Sequence, residues 1–128
     1  MILDTSAVIA ILCREPGWEG LLRKVEGASV VGVGAPTVAE ANIVATGKRG
    51  EDGAARVARL LQEARAMIVP FNADHLTLFN EGFRRFGKGR HPAALNIGDC
   101  FSYAVAKGAG MPLLCVGEDF VKTDLRLA

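Results

Sequence analysis

Short apolar runs alternate along this chain with longer segments in which apolar residues recur at helical spacing. The apolar runs predict strands at residues 1–3, 29–33, 67–71 and 112–116, with a short fifth at 125–127. The intervening segments predict helices at residues 7–13, 18–25, 37–46, 53–66, 72–86 and 99–107. Because strands and helices take turns, we predict an α/β fold: a mostly parallel sheet of four to five strands with helices on both faces.

The size and composition of the chain suit one small intracellular domain. Its 128 residues are half apolar, which is enough for one core and predicts a single domain over 1–128. A net charge of +1 provides no overall attraction to nucleic acid or membrane, so any such surface must be local. The three cysteines are far apart and lie in apolar segments, which is typical of buried thiols in a reducing compartment. With no basic leader and no apolar run long enough to span a bilayer, we expect a cytoplasmic protein.

Three apolar segments each contain a solitary carboxylate. Asp4 is the only charge in the first thirteen residues, Glu40 the only one between residues 28 and 47, and Asp99 the only one between 92 and 106. Each acid by itself is explained by a helix cap, a distant salt bridge or exposure at the end of an element. Acids are rarely buried without a partner, however, and no cation lies beside any of the three in the sequence. Taken together, the three acids favour convergence on a metal ion.

A fourth acid follows the strand predicted at 112–116, as Asp4 follows the first strand. Either Glu118 or Asp119 can fill this place, and in an extended segment only one of the two points toward the site. Four carboxylates about 5 Å apart repel by roughly 3 kcal/mol per pair at an effective dielectric constant of about 20, which a divalent cation relieves. Ligation by oxygen alone favours Mg²⁺ or Mn²⁺ over Zn²⁺.

These residues resemble a known family. The segments Ile-Leu-Asp-Thr-Ser-Ala at 2–7, Glu40, the stretch RHPAALNIGDCFSYA at 90–104 and Gly-Glu-Asp-Phe at 117–120 are similar to PIN-domain ribonucleases, specifically the VapC toxins of bacterial toxin–antitoxin pairs. The resemblance spans nearly the whole chain. It implies an endoribonuclease dependent on Mg²⁺ or Mn²⁺, a homodimer, and inhibition by a VapB antitoxin whose C-terminal segment lies across the active site.

The resemblance also implies roles for individual residues. It assigns the catalytic acids to Asp4, Glu40, Asp99 and Asp119, and Asp119 is thereby preferred to Glu118. We expect Asp4, Asp99 and Asp119 to ligate metal, whereas Glu40 either ligates or orients the attacking water. The polar supporting positions are Thr5, Ser6, Asn96 and Ser102. Asn96 and Ser102 lie one helical turn before and after Asp99, where both can hydrogen-bond to the ligands. In-line attack leaves 5′-phosphate and 3′-hydroxyl ends.

A basic segment directly precedes the residues around Asp99. Four cations, Arg84, Arg85, Lys88 and Arg90, share it with two phenylalanines and two glycines. Cations on a flexible loop near the metal site suit a single-stranded or looped RNA, or an acidic part of the antitoxin. They equally suit an ordinary solvated face, with the phenylalanines in the core.

Two other classes of aspartate-dependent protein fit the sequence less well. An aspartyl-phosphate phosphatase needs a second Asp two residues after the first, where this chain has Ser6, and a receiver domain needs paired acids after its first strand. Two alternatives remain: an RNA-processing PIN nuclease that is not a toxin, and a non-catalytic PIN-like binding module. A pure binding module has no need of clustered carboxylates that repel phosphate, which favours the nuclease.

Overall fold

The computed structural model describes all 128 residues, which form a parallel sheet between two layers of helices. The strands are β1 (Ile2–Leu3), β2 (Gly32–Gly34), β3 (Met67–Val69) and β4 (Leu113–Leu114). Their order across the sheet is β3-β2-β1-β4, and every neighbouring pair is parallel. The predicted α/β class is confirmed, and the first strand lies inside the sheet with β2 and β4 on either side.

Six α-helices connect and cover the strands. They are α1 (Thr5–Cys13), α2 (Trp18–Glu26), α3 (Ala35–Arg49), α4 (Gly53–Glu63), α5 (Ala73–Phe86) and α6 (Ile97–Ala109), followed by a 3₁₀ turn at Asp119–Lys122. None of these helices combines the length and hydropathy required to cross a bilayer. All three cysteines are free; Cys100 is buried, and Cys13 and Cys115 are partly buried.

Alternation along β1 divides the core into two clusters. Leu3 faces the cluster formed with α1 to α4, and the adjacent Ile2 faces the cluster formed with α5 and α6. Successive side chains of a strand point to opposite faces, so this two-residue strand is enough to anchor both layers. Helix α1 lies deep in the first cluster, where Ala7, Val8 and Ala10 are at most 1% exposed. The strand end that bears Asp4 is therefore held firmly on both sides.

The second strand lies later in the chain than its β-branched residues predicted. Residues 29–33 were expected, but β2 is Gly32–Gly34, because it pairs with β1 at Ile2 and Leu3 and with β3 at Met67–Val69. A Cβ on Gly34 would lie 2.9 Å from Cγ2 of Val105, and one on Gly32 would lie 3.0 Å from Cδ1 of Ile2. The glycines thus belong inside the strand, where they admit neighbouring side chains that a larger residue would exclude.

The expected fifth strand is reduced to a single bridge. Leu127 pairs in parallel with Leu113, through hydrogen bonds from Leu113 N to Arg126 O and from Ala128 N to Leu113 O, both 2.9 Å. Because β4 is only two residues long, the C-terminal residues form only this one bridge with it. The other strand predictions were likewise too long, whereas α3 extends beyond its prediction at both ends.

Candidate active site

Three of the predicted acids line one cleft at the carboxyl ends of the central strands. The cleft has a volume of about 270 Å³ and is lined by Asp4, Thr5, Ser6, Ile9, Glu15, Glu40, Val44, Asp99 and Val116. Asp4 directly follows β1, Glu40 comes from the second turn of α3, and Asp99 comes from the first turn of α6. Ligands of open parallel sheets bind at this edge, so the topology itself brings the acids together.

Asp4 is buried and held by hydroxyl groups on both of its oxygens. Its Oδ2 accepts hydrogen bonds from Ser6 N at 3.0 Å and Ser6 Oγ at 2.6 Å, and its Oδ1 accepts one from Ser102 Oγ at 2.6 Å. Ser6 Oγ in turn accepts a hydrogen bond from Val116 N at 2.9 Å, which links the site to the chain beyond β4. Asp4 therefore caps α1 and lines the cleft at the same time, and the two interpretations of this residue are compatible.

Asp99 stands at the start of α6 in a reciprocal cap with Asn96. Asn96 Oδ1 accepts a hydrogen bond from Asp99 N, and Asp99 Oδ2 accepts one from Asn96 N, both at 2.9 Å. This cap starts the helix at Ile97, two residues earlier than expected. Burial raises the pKa of Asp99 to about 6 against the lowering effect of the hydrogen bond from Asn96, and repulsion by Asp4, Asp119 and Glu40 adds to the rise.

Glu40 reaches the cleft because α6 has a glycine where the two meet. A Cβ on Gly98 would collide with the carboxylate of Glu40, its Oε2 atom most severely. Gly98 is buried between Ile97 and Asp99, and its missing side chain leaves the space that the Glu40 carboxylate occupies. Glu40 makes no side-chain hydrogen bond or ion pair within the protein, which leaves both of its oxygens available in the cleft.

Asp119 lies farther from the cleft than the other three acids. It is exposed at the first residue of the 3₁₀ turn and is not among the residues that line the cleft. Its charge nevertheless acts on the site. Burial is the first cause of the raised pKa of Cys115, and the charges of Asp4 and Asp119 raise it further. Asp119 also adds to the raised pKa of Asp99, whereas Glu118 contributes to neither shift. Of these two acids, Asp119 is thus the one whose charge reaches the site, and its role as the fourth acid stays a prediction.

Sequence reasoning missed two residues that shape the site. Thr37 is buried on α3, and its Oγ1 lies 3.3 Å from Ser102 Oγ, behind Asp4. Gly98 provides the space for Glu40. The only signal in the sequence was that Thr37 lies three residues before Glu40, and that Gly98 is the residue before Asp99. Glu15 also lines the cleft, and it forms a 3.5 Å ion pair with Lys48.

The four cations before α6 differ in their surroundings. Arg85 contacts Glu81 at 3.2 Å and Asp124 at 3.0 Å, so its charge is already neutralised. Arg84 and Lys88 are exposed, and the guanidinium of Arg90 lies 5.2 Å from the ring centre of Phe83. RNA binding by these four residues stays a prediction, and Arg84, Lys88 and Arg90 are the three without a carboxylate partner.

The donor set of the cleft suits a hard divalent cation. Asp4, Glu40 and Asp99 offer carboxylate oxygens alone, with no imidazole or thiolate among the lining residues. No three His, Cys, Asp or Glu side chains are gathered tightly enough to form a complete ligand cluster as they stand. Burial is the first cause of the raised pKa of Asp99, and repulsion by the other acids is a further cause. A bound cation would lower this pKa, because it stabilises the ionised carboxylate against both effects.

The largest concavity of the molecule, about 520 Å³, is a different place. Its walls come from α2, α4 and the amino-terminal ends of β2 and β3, and are mainly apolar. It contains none of the predicted acids and lies at the opposite end of the strands. The candidate site is therefore marked by the convergence of carboxylates and not by volume.

The chain matches known proteins over almost its whole length. The PIN domain family matches residues 1–125. Ribonuclease VapC36 of Mycobacterium tuberculosis is 44% identical over 126 residues, which cover 98% of this chain and 91% of that protein. Ribonuclease VapC of Mycolicibacterium smegmatis is 42% identical over 125 residues, which cover 98% of this chain and 97% of that protein.

Solved structures show the same fold at much lower identity. The crystal structure of Mycobacterium tuberculosis VapC20, described as a Sarcin-Ricin loop cleaving toxin, superposes with a TM-score of 0.81 at 16% identity, covering 99% of this chain and 97% of that one. VapBC2 from Rickettsia felis, bound to a DNA fragment from its promoter, has a TM-score of 0.78 at 15% identity and covers 99% and 96%. The chain therefore belongs to the PIN-domain family and, within it, to the VapC ribonucleases.

Proposed function

We propose that this protein is a Mg²⁺-dependent endoribonuclease toxin that hydrolyses RNA phosphodiester bonds and is neutralised by a VapB-type antitoxin. Nucleases of this family are generally dependent on a divalent metal. The observation that carries the proposal is the cleft where Asp4, Glu40 and Asp99 meet, at the strand ends where α/β enzymes bind their ligands. The relatives at 36–44% identity are named VapC ribonucleases, which supports RNA as the substrate.

Asp4, Asp99 and Asp119 are the carboxylates that would hold the ion, and Asp119 would have to approach from outside the cleft. Asp4 and Asp99 lie within the cleft, and the charge of Asp119 acts on Asp99 from the 3₁₀ turn. When bound, a divalent cation supplies neutralisation of the phosphate charge and a water of lowered pKa. Mg²⁺ suits a site with few protein ligands, all of them oxygens.

The remaining chemistry belongs to the side chains of the chain itself. Glu40, without a hydrogen-bond partner of its own, orients the attacking water and accepts its proton. Asp4 is held in place by hydrogen bonds from Ser6 and Ser102 to its two oxygens. The water oxygen forms a bond to phosphorus in line with the P–O3′ bond, which breaks; the leaving 3′ oxygen takes a proton from solvent, and the ends are a 5′-phosphate and a 3′-hydroxyl.

The negative charge of the cleft indicates the kind of antitoxin segment that would bind there. Four acids line it, Asp4, Glu15, Glu40 and Asp99, and no Lys or Arg is among the lining residues. An antitoxin segment with a basic side chain complements this surface and displaces the cation. Solved structures of the same fold include VapBC2 and FitAB assemblies, which supports such a partner.

The proposal is tested by cleavage of an end-labelled RNA pool with metal-stripped, antitoxin-free protein, with Mg²⁺ or Mn²⁺ added back. We expect cleavage only with metal, and a loss of at least about 100-fold in Asp99→Asn, because the variant removes a ligand charge but keeps the Asn96 cap. A matched control is Asp74→Asn, which removes an exposed carboxylate from the first turn of α5, away from the cleft.

Three results would contradict the proposal. Cleavage that survives in both Asp99→Asn and metal-free buffer would mean that the carboxylates are not the catalytic site. Growth arrest on expression that the neighbouring gene does not relieve would argue against a toxin, and would favour an RNA-processing nuclease. Absence of both cleavage and metal binding in the folded protein would favour a non-catalytic binding module.

A further inference from the structure

A chain of hydroxyl groups lies beneath the cleft and connects the three elements that carry its acids. Thr37 Oγ1 is 3.3 Å from Ser102 Oγ, and Ser102 Oγ is 2.6 Å from Asp4 Oδ1. All three side chains are buried: Ser102 is 0% exposed, Thr37 2% and Asp4 5%. Both contacts are buried, so the hydroxyls of Thr37 and Ser102 depend on protein partners for their hydrogen bonds.

The direction of the chain follows from counting protons. A serine hydroxyl has one proton, and the short contact to the Asp4 carboxylate, which can only accept when ionised, uses the proton of Ser102. In the contact between the two hydroxyls Thr37 must then be the donor and Ser102 the acceptor. Thr37 thereby fixes the rotation of the Ser102 hydroxyl that points its proton at Asp4.

The position of Thr37 in the fold gives this contact its importance. Thr37 lies one turn before Glu40 on α3, and Ser102 lies one turn after Asp99 on α6. Their hydrogen bond ties the two helices together directly behind Asp4. The same pair of hydroxyls therefore connects the elements that carry three acids from distant parts of the sequence.

We propose that Thr37 is a positioning residue, whose hydroxyl holds Ser102, and through it Asp4, in the arrangement that binds the divalent cation. This inference rests on the proposed function, since it assumes a cation at Asp4. Partners behind the ligands of a metal site typically change its affinity 10- to 100-fold when removed.

The test is Mn²⁺ binding by the full chain, free of antitoxin, followed by calorimetry together with the EPR signal of free Mn²⁺. Thr37→Val keeps the shape of the side chain and removes the hydroxyl, and we expect it to weaken Mn²⁺ binding about 10-fold. Thr37→Ser restores the hydroxyl and should bind within about twofold of the wild type. Thr46→Val is the matched control on α3, because it removes a hydroxyl that bonds only to Asn42 O, 2.8 Å away.

A double-mutant cycle separates positioning from general stability. If Thr37 acts through Ser102, then Thr37→Val adds no further loss of Mn²⁺ affinity to Ser102→Ala, whereas independent effects would add. The inference would be overturned by unchanged Mn²⁺ affinity in Thr37→Val, or by additive losses of affinity in the double variant. In either case Mn²⁺ binding by the wild type would still support the metal site. If the folded wild type binds no Mn²⁺, the proposed function fails, and the inference fails with it.

Discussion

At the scale of single residues, Asp99 combines a structural and a chemical role. It caps α6 together with Asn96, and it lies among acids that raise its pKa. The ordinary pKa of 3.8 applies to the unfolded chain, and burial, followed by the neighbouring acids, raises the value to about 6 in the folded one. Folding therefore favours the protonated form, and the stability that Asp99 contributes is present below about pH 4 and is lost as the pH rises through 6.

This sign leads to a prediction for the metal-free protein. Asp99→Asn should increase the free energy of unfolding at pH 8 by roughly 1–2 kcal/mol, allowing for solvent screening of a partly exposed carboxylate. Near pH 4 the gain should be largely absent, because Asp99 is then protonated in the wild type. Urea denaturation at the two pH values measures the difference. Equal gains at both would mean that ionisation of Asp99 does not destabilise the fold.

Gly98 is the second residue whose substitution we expect to change the candidate site. Gly98→Ala should push the Glu40 carboxylate out of its present position, because the new Cβ occupies the same space. We expect cleavage to fall about 10- to 100-fold, with a change in unfolding free energy below about 1 kcal/mol, since the displaced group is the end of a flexible side chain. Gly47→Ala on α3, where a Cβ meets nothing within 4 Å, is the control. Full activity in Gly98→Ala would show that Glu40 is not needed where it now lies.

At the scale of elements, close packing between helices depends on glycine. Helix α5 crosses α6 at Gly82, where a Cβ would lie 2.9 Å from Cε1 of Tyr103 and still closer to Cδ1. Tyr103 cannot retreat, because it is 0% exposed, lies against Phe86 and donates a 3.0 Å hydrogen bond to Asp124. This crossing places the start of α6, and with it Asp99, relative to the sheet.

Gly82→Ala should therefore destabilise the protein, even though alanine is the better helix former. We expect a loss of roughly 1–3 kcal/mol, the usual cost of overpacking a core. Gly20→Ala on α2, where a Cβ approaches only the end of Arg23 at 3.9 Å, should instead be neutral or slightly stabilising. Thermal unfolding of both variants measures the contrast. A stabilised Gly82→Ala would show that α5 and α6 can separate at no cost.

At the scale of the whole molecule, RNA binding requires a local patch of positive charge. The chain has a net charge of +1, and its cleft is lined by acids that repel phosphate. Of the four basic residues that directly precede α6, Arg84, Lys88 and Arg90 have no carboxylate partner. We therefore expect RNA to approach the cleft across this segment.

The salt dependence of RNA binding tests this expectation. In an Asp99→Asn background that leaves the RNA intact, the triple change Arg84→Gln, Lys88→Gln and Arg90→Gln should reduce the slope of log K against log salt. The reduction should be about 0.7 for each phosphate that the segment no longer neutralises. Arg59→Gln is the control, because Arg59 lies on α4 and pairs with Glu63 at 2.9 Å. An unchanged slope in the triple variant would place the RNA on another surface.

Much of the architecture follows from local patterns in the sequence. The alternation of apolar runs with helical periodicity determined the α/β class, and three carboxylates isolated in apolar segments identified Asp4, Glu40 and Asp99 as residues that need a common partner. Both are short-range properties, visible within one element at a time. The resemblance to PIN-domain ribonucleases is confirmed by the match of the PIN domain family to residues 1–125. Its motifs could be recognised in the sequence because each is a short segment and they lie in order along the chain.

Only the tertiary structure decided which side chains meet. Thr37 and Ser102 are 65 residues apart, and Glu40 and Gly98 come from different helices, so no spacing in the sequence predicts either contact. Pairing across the sheet likewise set the length of each strand, and the fold placed Arg85 in an ion pair with Asp124, which lies 39 residues away. The sequence determined which residues could perform the chemistry, because that depends on residue type. The fold determined where they lie, because distances between elements arise only when both faces of the sheet are packed.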